Sequence, residues 1–283
     1  MKIGVDLGGT NIRACLINNH QIVRMKEIPL REKENLESTL DQLKSLITSV
    51  NDPNVKGIGI GVPSVVDREK GIVYDVVNIP SWKEVPLKDI LEKQFGVPVY
   101  INNDVNCFVL GEKNFGIAKR YKNIVGITIG TGIGAGVILN NKLYSGSNCG
   151  AGEIGYLPYL DHDLEYYCSS NFFQDFHQTT GYEAFQKAEK NDPAALKIWN
   201  QFGHHMGVAM KSVMYTYDPE IIILGGSISN AFPYFKDQMH KTLRNTHFPK
   251  SVDNLKICPS EVENVSMLGA SSLVDESVEI ILN

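Results

Sequence analysis

Asp104 follows Asn102 and Asn103 at the end of an apolar run, Val97 to Ile101, and its type and setting suit it to take a proton from a hydroxyl. A carboxylate accepts the proton as the hydroxyl attacks, and the amide of Asn103 beside it can hold the acceptor molecule. Asp104 also reads as a helix N-cap, since Asp at a helix start accepts from the first backbone N–H groups, and one residue can do both. Asp6 ends the first apolar run beside Gly8 and Gly9, where a carboxylate could hold Mg2+ through water near a polyphosphate. The plainer reading of Asp6 is a residue that stabilises a turn. Glycine turns follow three strand-like runs: Leu7-Gly8-Gly9-Thr10, Gly130 to Gly136, and Gly225-Gly226-Ser227. Without a Cβ the backbone N–H groups can approach phosphate closely. One such turn is explained by chain connection alone, whereas three, two of them with threonine, favour a phosphate cradle. The spacing matches neither the phosphate loop ending in Gly-Lys-Ser/Thr nor the dinucleotide fingerprint.

A sugar needs several acceptors at fixed positions, and Asn78, Asn103, Asp104, Glu153 and Glu165 supply them if the fold gathers them. Otherwise Glu153 and Glu165, in polar loops, are simply solvated. Trp82 near Asn78 is read as core, and His204 and His205, on an amphipathic helix, receive no catalytic role.

The elements that must position these groups can be read from periodicity. Lys2 to Asp6 is a buried strand, and Leu36, Leu40, Leu43, Ile47 and Val50 recur at helical spacing behind Asn35 as N-cap. Val55 to Val62 reads as a strand stopped by Pro63, Pro86 to Phe95 as a helix stopped by Gly96, and Val97 to Ile101 as a strand delivering Asp104 into a helix that ends near Gly116. Ile124 to Ile129 then runs into a glycine turn as the first strand does, which suggests a duplicated architecture of two lobes facing a shared cleft. Phe202 to Tyr217 is a helix ended by Asp218-Pro219, Glu220 to Leu224 a strand, and Leu268 to Leu282 a final helix.

With 283 residues the chain accommodates two domains, and its 43% apolar and 21% charged residues are ordinary for a globular protein. A net charge of -5 supplies no overall basic field for nucleic acid or an acidic membrane, so small-molecule partners are expected. No secretory signal, membrane span or segment ahead of the first strand is expected, and five scattered cysteines imply reduced thiols in the cytoplasm.

Taken in order, Asp6-Leu7-Gly8-Gly9-Thr10-Asn11-Ile12-Arg13, Gly59-Ile60-Gly61-Val62-Pro63, Asn78 with Trp82, Asn102-Asn103-Asp104, Gly130 to Gly136, Gly152-Glu153-Ile154-Gly155 and Leu224-Gly225-Gly226 resemble the ROK family of bacterial sugar kinases and repressors, in particular its glucokinase branch. The resemblance spans nearly the whole chain. It implies an α/β, two-lobed actin-like or ribonuclease H-like sugar kinase fold with a central interlobe cleft. The smaller lobe would be 1–116 with 268–283, and the larger 117–267. It further implies Asp104 as general base and Asn78, Asn103, Glu153 and Glu165 on the sugar, with Ser64 close by. Gly8, Gly9, Thr10, Thr131 and Gly132 would meet ATP phosphates, Asn11 and Gly134 would belong to the same ATP site, and Gly225, Gly226 and Ser227 would flank the nucleoside. Tyr156 stands where the family has a histidine, and the segment to Leu164 lacks the cysteines of the usual zinc loop, so no zinc is expected, and at the sugar's C2 either the Tyr156 hydroxyl replaces part of the histidine's contact or a different substituent is accepted.

These readings converge on transfer of the ATP γ-phosphoryl group to the 6-hydroxyl of an aldohexose, glucose first, by a homodimer using Mg2+. N-acetylmannosamine, N-acetylglucosamine or another hexose is the alternative substrate. A sugar-sensing regulator that keeps the cleft with little catalysis and an actin-like ATPase are the alternatives of other classes; the ATPase has no need of Asn78, Asn103 and Glu165.

Overall fold

The apolar run at the start of the chain forms β1 (Lys2–Leu7), which turns at Gly8–Thr10 and pairs antiparallel with β2 (Asn11–Asn18), itself paired with β3 (Gln21–Pro29). The computed structural model describes residues 1–147 and 149–281. After α1 (Leu36–Val50) come β4 (Ile58–Val62), the small antiparallel strands β5 (Val65–Asp67), β6 (Ile72–Tyr74) and β7 (Glu84–Val85), then α2 (Leu87–Phe95), β8 (Val99–Asn103) and α3 (Asp104–Asn114). β4 lies parallel to both β1 and β8, giving the sheet order β3-β2-β1-β4-β8.

The same plan recurs. β9 (Ile124–Ile129) turns at Gly130–Gly132 into antiparallel β10 (Ile133–Leu139), which is followed by β11 (Lys142–Tyr144). A small hairpin of β12 (Pro158–Tyr159) and β13 (His162–Asp163) leads to helices α4 (Leu164–Cys168), α5 (Ser170–His177), α6 (Gly181–Glu189) and α7 (Pro193–Tyr217). Then come β14 (Ile221–Gly225), α8 (Phe232–Arg244), α9 (Pro249–Asn254), β15 (Lys256–Pro259) and α10 (Val265–Ile281). β14 lies parallel to β9 and β15, so the second sheet runs β11-β10-β9-β14-β15, strand for strand the order of the first. Even the outer hairpin turns agree: Asn19 and His20 have φ of 46° and 65°, and Asn140 and Asn141 have 52° and 67°. Paired positive φ values suit a two-residue turn to the right-handed twist of the strands it joins.

Contacts divide the chain into two units. One comprises Met1–Arg120, Leu143–Ala151 and the segment from Glu261 on; the other comprises Tyr121–Lys142 and Gly152–Ser260. Each has its own apolar core. In the first, Leu43, Leu46, Ile47 and Val50 of α1 join Ile3, Val5, Ile58, Ile60 and the fully buried Trp82, whose Nε1–H donates to Thr39 Oγ1 at 2.7 Å. In the second, Phe173, Trp199, Phe202 and Phe235 form a ring cluster over Val125, Ile127, Ile222 and Leu224. α10 packs onto the first sheet at glycines. A Cβ on Gly59 would fall 1.8 Å from Ala270 O, and one on Gly269 would fall 1.7 Å from Cys107 O of α3.

Several boundaries differ from expectation. Asn35 caps α1 through Ser38 N–H at 3.0 Å, and Gly96 ends α2 at φ 67°, both as the sequence implies. The fourth strand, however, begins at Ile58 and not Val55, because Asp52 draws the backbone N–H of Asn54 and Val55 into a turn. β8 starts at Val99 and not Val97, just after a Pro98 that has no N–H to contribute. The expected turn Gly130–Gly136 is only three residues long, since Gly134 and Gly136 enter the β10 ladder opposite Thr128 and Gly126. The helix before Asp218 begins at Pro193, far upstream of Phe202, behind Asp192 as cap. Asn148 lies outside the described residues, as do Leu282 and Asn283, which the sequence places in the final helix and its lobe.

Candidate functional site

The junction of β8 and α3 carries Asp104, the carboxylate nominated as base by its type and setting. Asn103, and not Asp104, is the cap. Its Oδ1 accepts from Val105 N–H at 2.9 Å and Asn106 N–H at 3.4 Å, and its Nδ2 donates to Ser64 O at 3.4 Å. The shorter reach of an N-cap acceptor to two N–H groups places the cap one residue before the first helical turn, so Asp104 becomes the opening residue of α3. There it is half-buried, its Oδ1 accepts from Val105 N–H at 2.9 Å, and the positive end of the helix complements its charge. Ser64 thus sits beside Asn103, with its hydroxyl donating to Tyr74 O.

On the same unit Asn78 is exposed and packs against the first glycine turn: a Cβ on Gly9 would lie 2.4 Å from Asn78 Cβ. Gly8 leads the turn, Thr10 is exposed, and Asn11 donates to Glu27 Oε1 at 2.7 Å across the hairpin. Asp6 is ion-paired with Arg13, its register partner on β2. Arg13 went without a role in the sequence reading; a hairpin closing at Gly8-Gly9 was the signal that would have set it opposite Asp6.

The second unit carries the remaining groups. Glu165, on α4 behind the Asp163 cap, accepts from Ile133 N–H at 3.2 Å through Oε2, and a Cβ on Gly132 would come within 2.3 Å of that oxygen. Glu153 precedes the helical turn Ile154–Tyr156, close enough to Glu165 that burial first and then that charge push its carboxyl above the usual range. The exposed Tyr156 hydroxyl is likewise raised, by Glu165 first and then by burial, Glu153 and Asp163. Glu153, Tyr156 and Glu165 therefore lie together beside Gly132, with two carboxylates in the group. Thr131 is exposed, with its carbonyl accepting from Ser170 Oγ at 3.2 Å while Ser170 N–H donates to Gly130 O at 2.9 Å. Nothing in the sequence pattern pointed to Ser170. Gly225 ends β14, and Gly226, at φ 82°, lies so close to Ile129 O that a Cβ would stand 2.3 Å away. Ser227 Oγ lies 3.8 Å from the corresponding position on Gly130, so the second and third glycine turns adjoin. Gly134 sits one residue into β10.

Trp82 belongs to the core and His205 to an aromatic cluster, where burial and His204 push its imidazole down to about 4. The five cysteines are free thiols, and the described residues contain no group of three or more His, Cys, Asp or Glu suited to a metal ion. No helix among them is long and apolar enough to cross a membrane.

The ROK family model matches residues 2–277. A glucokinase of Thermotoga maritima is 30% identical over 309 residues, covering 98% of both chains. A xylose repressor of Bacillus spizizenii is 29% identical over 298 residues, covering 97% of this chain and 77% of the repressor. In structure, the chain is similar to a ROK family glucokinase from Streptomyces griseus solved with glucose and AMPPNP, at TM-score 0.83 and 22% identity over 97% of this chain and 99% of that one.

Proposed function

The chain belongs to the ROK family, and from that premise we propose that it is an ATP-dependent sugar kinase that phosphorylates the 6-hydroxyl of an aldohexose, glucose first among the candidates. The observation that carries the reading is Asp104 at the first turn of α3, directly after Asn103, which caps the helix and donates to Ser64 O. A kinase of this type needs a base at the acceptor and donors for the phosphates, and the glycine turns of both units supply backbone N–H groups of the second kind. The 30% identity with a glucokinase supports the same reading.

In this assignment Asp104 takes the proton of the 6-hydroxyl as the new bond forms, while Asn78, Asn103, Glu153, Tyr156 and Glu165 bind the remaining hydroxyls with Ser64 adjacent. Gly8, Gly9, Thr10, Thr131 and Gly132 bind the phosphates, Asn11 and Gly134 belong to the same ATP site, and Gly225, Gly226 and Ser227 border the nucleoside. Phosphoryl transfer passes through a loose transition state, so the chain's contribution is alignment and charge neutralisation. Asp6 fits a magnesium ion, which takes few carboxylates and keeps its waters, and Arg13 beside it suits phosphate oxygens. Bound there, Mg2+ would neutralise charge on the phosphates. A cytoplasmic homodimer completes the proposal.

The likeness to a xylose repressor favours a second reading, a sugar-sensing regulator with little catalysis. Both are separated by coupled ADP release with Mg-ATP and, in parallel, glucose, mannose, fructose, N-acetylglucosamine, N-acetylmannosamine and no sugar. Release that depends on a hexose supports the kinase, with glucose fastest. Hydrolysis indifferent to sugar, or none with any of them, defeats it.

A further inference from the structure

Asn102 has no part in the roles above, yet it is completely buried at β8, one residue before the cap of α3. Its Oδ1 gathers three donors: Asn103 N–H at 2.8 Å, Asn106 Nδ2 at 2.9 Å and the Cys149 thiol at 3.5 Å. The donors fix which way both amides face. A backbone N–H can only donate, so Asn102 must turn its oxygen to Asn103, and Asn106 must then turn its NH2 to that same oxygen. What remains is Asn102 Nδ2 and Asn106 Oδ1, each buried with no hydrogen-bond partner among the described residues. Two such orphans are costly. A leucine, with the same branching at Cγ, would bring no orphan of its own at 102 but would take the acceptor from Asn103 N–H and Asn106 Nδ2.

We propose that Asn102 is a positioning residue for Asp104. Its oxygen holds the backbone of Asn103 on one side and the side chain of Asn106 on the other, which fixes the direction of the carboxylate between them. The Cys149 thiol ties the Leu143–Ala151 segment to the same point. The proposal rests on Asp104 as the base at the acceptor hydroxyl.

The test compares wild type, Asn102→Leu and Asn102→Asp in two measurements. Amide hydrogen exchange over residues 102–107 needs no activity: Asn102→Leu should speed exchange there about tenfold or more relative to the end of α3, and Asn102→Asp, which keeps the acceptor, should preserve protection. In steady-state assays with whichever hexose the wild type uses, Asn102→Leu should lower kcat on the order of 10²-fold with KM within about threefold, and Asn102→Asp should recover most of the loss. Unchanged exchange in Asn102→Leu, protection lost evenly across the whole first unit, or wild-type kcat per folded molecule would each overturn the proposal. A wild type that turns over no hexose defeats the kinase reading instead, and the exchange result still decides whether Asn102 fixes the turn.

Discussion

Because Asn103 caps α3, a change at Asp104 can be read as chemistry more than as helix stability. Asp104→Asn should cut kcat by about 10²- to 10⁴-fold, the range for removing a general base, while the dissociation constant for the hexose changes far less. Coupled ADP release and calorimetric sugar titration check the two halves; a variant with wild-type turnover removes the assignment. Glu153 supports a prediction about pH. A carboxyl raised in the fold binds its proton more tightly there than in the unfolded chain, so its contribution to stability is greatest at acid pH and falls as pH climbs from its unfolded value through the folded one. Glu153→Gln should therefore raise Tm at neutral pH and lose that advantage toward pH 4. The side chain reaches solvent, water screens the repulsion, and the gain should be only about 1 °C. Thermal melts at the two pH values measure it, and an equal or larger gain at pH 4 would show that Glu165 and burial are not the cause.

At the scale of elements, the contact of α10 with its neighbours leaves no room for a side chain. Gly269→Ala would put a methyl 1.7 Å from a backbone oxygen of α3, which cannot rotate away as a side chain could. A loss of about 1–3 kcal/mol, typical of overpacking, is expected in urea unfolding; a variant as stable as wild type would mean that α10 can slide. Periodicity made α1 legible to the residue, since Asn35, the apolar spacing and the last valine all agree. β2 and β3 were not anticipated. β3 is exposed along most of its length, so it carries little apolar alternation, and its turn is marked only by Asn19 and His20 at positive φ. At the site, residue types nominated Asp104 and the glycine turns, but which neighbour caps a helix depends on where the strand stops hydrogen-bonding. That is a property of the β4–β8 ladder, which reaches Asn103, and not of local sequence. Arg13 and Ser170 stayed hidden for the same reason: a register and a loop return bring them to the glycine turns.

For the whole molecule, two sheets of one strand order with separate cores imply two cooperative units. Calorimetric unfolding enthalpy should exceed the van't Hoff value, and a ratio of one would show that the cores melt as a single unit. The duplication was legible as two strands each ending in a Gly/Thr turn, but the matching outer hairpins and parallel strands were not, because pairing order leaves almost no local trace. The two cores also carry the chain's two tryptophans, one apiece, and both are wholly buried. Trp82 donates to Thr39, whereas Trp199 Nε1 has no hydrogen-bond partner among the described residues and lies within a ring of phenylalanines. An indole without a polar neighbour emits at shorter wavelength, so the unlabelled protein carries two optical probes of different colour, and the blue edge of its fluorescence follows the second core while the red edge follows the first.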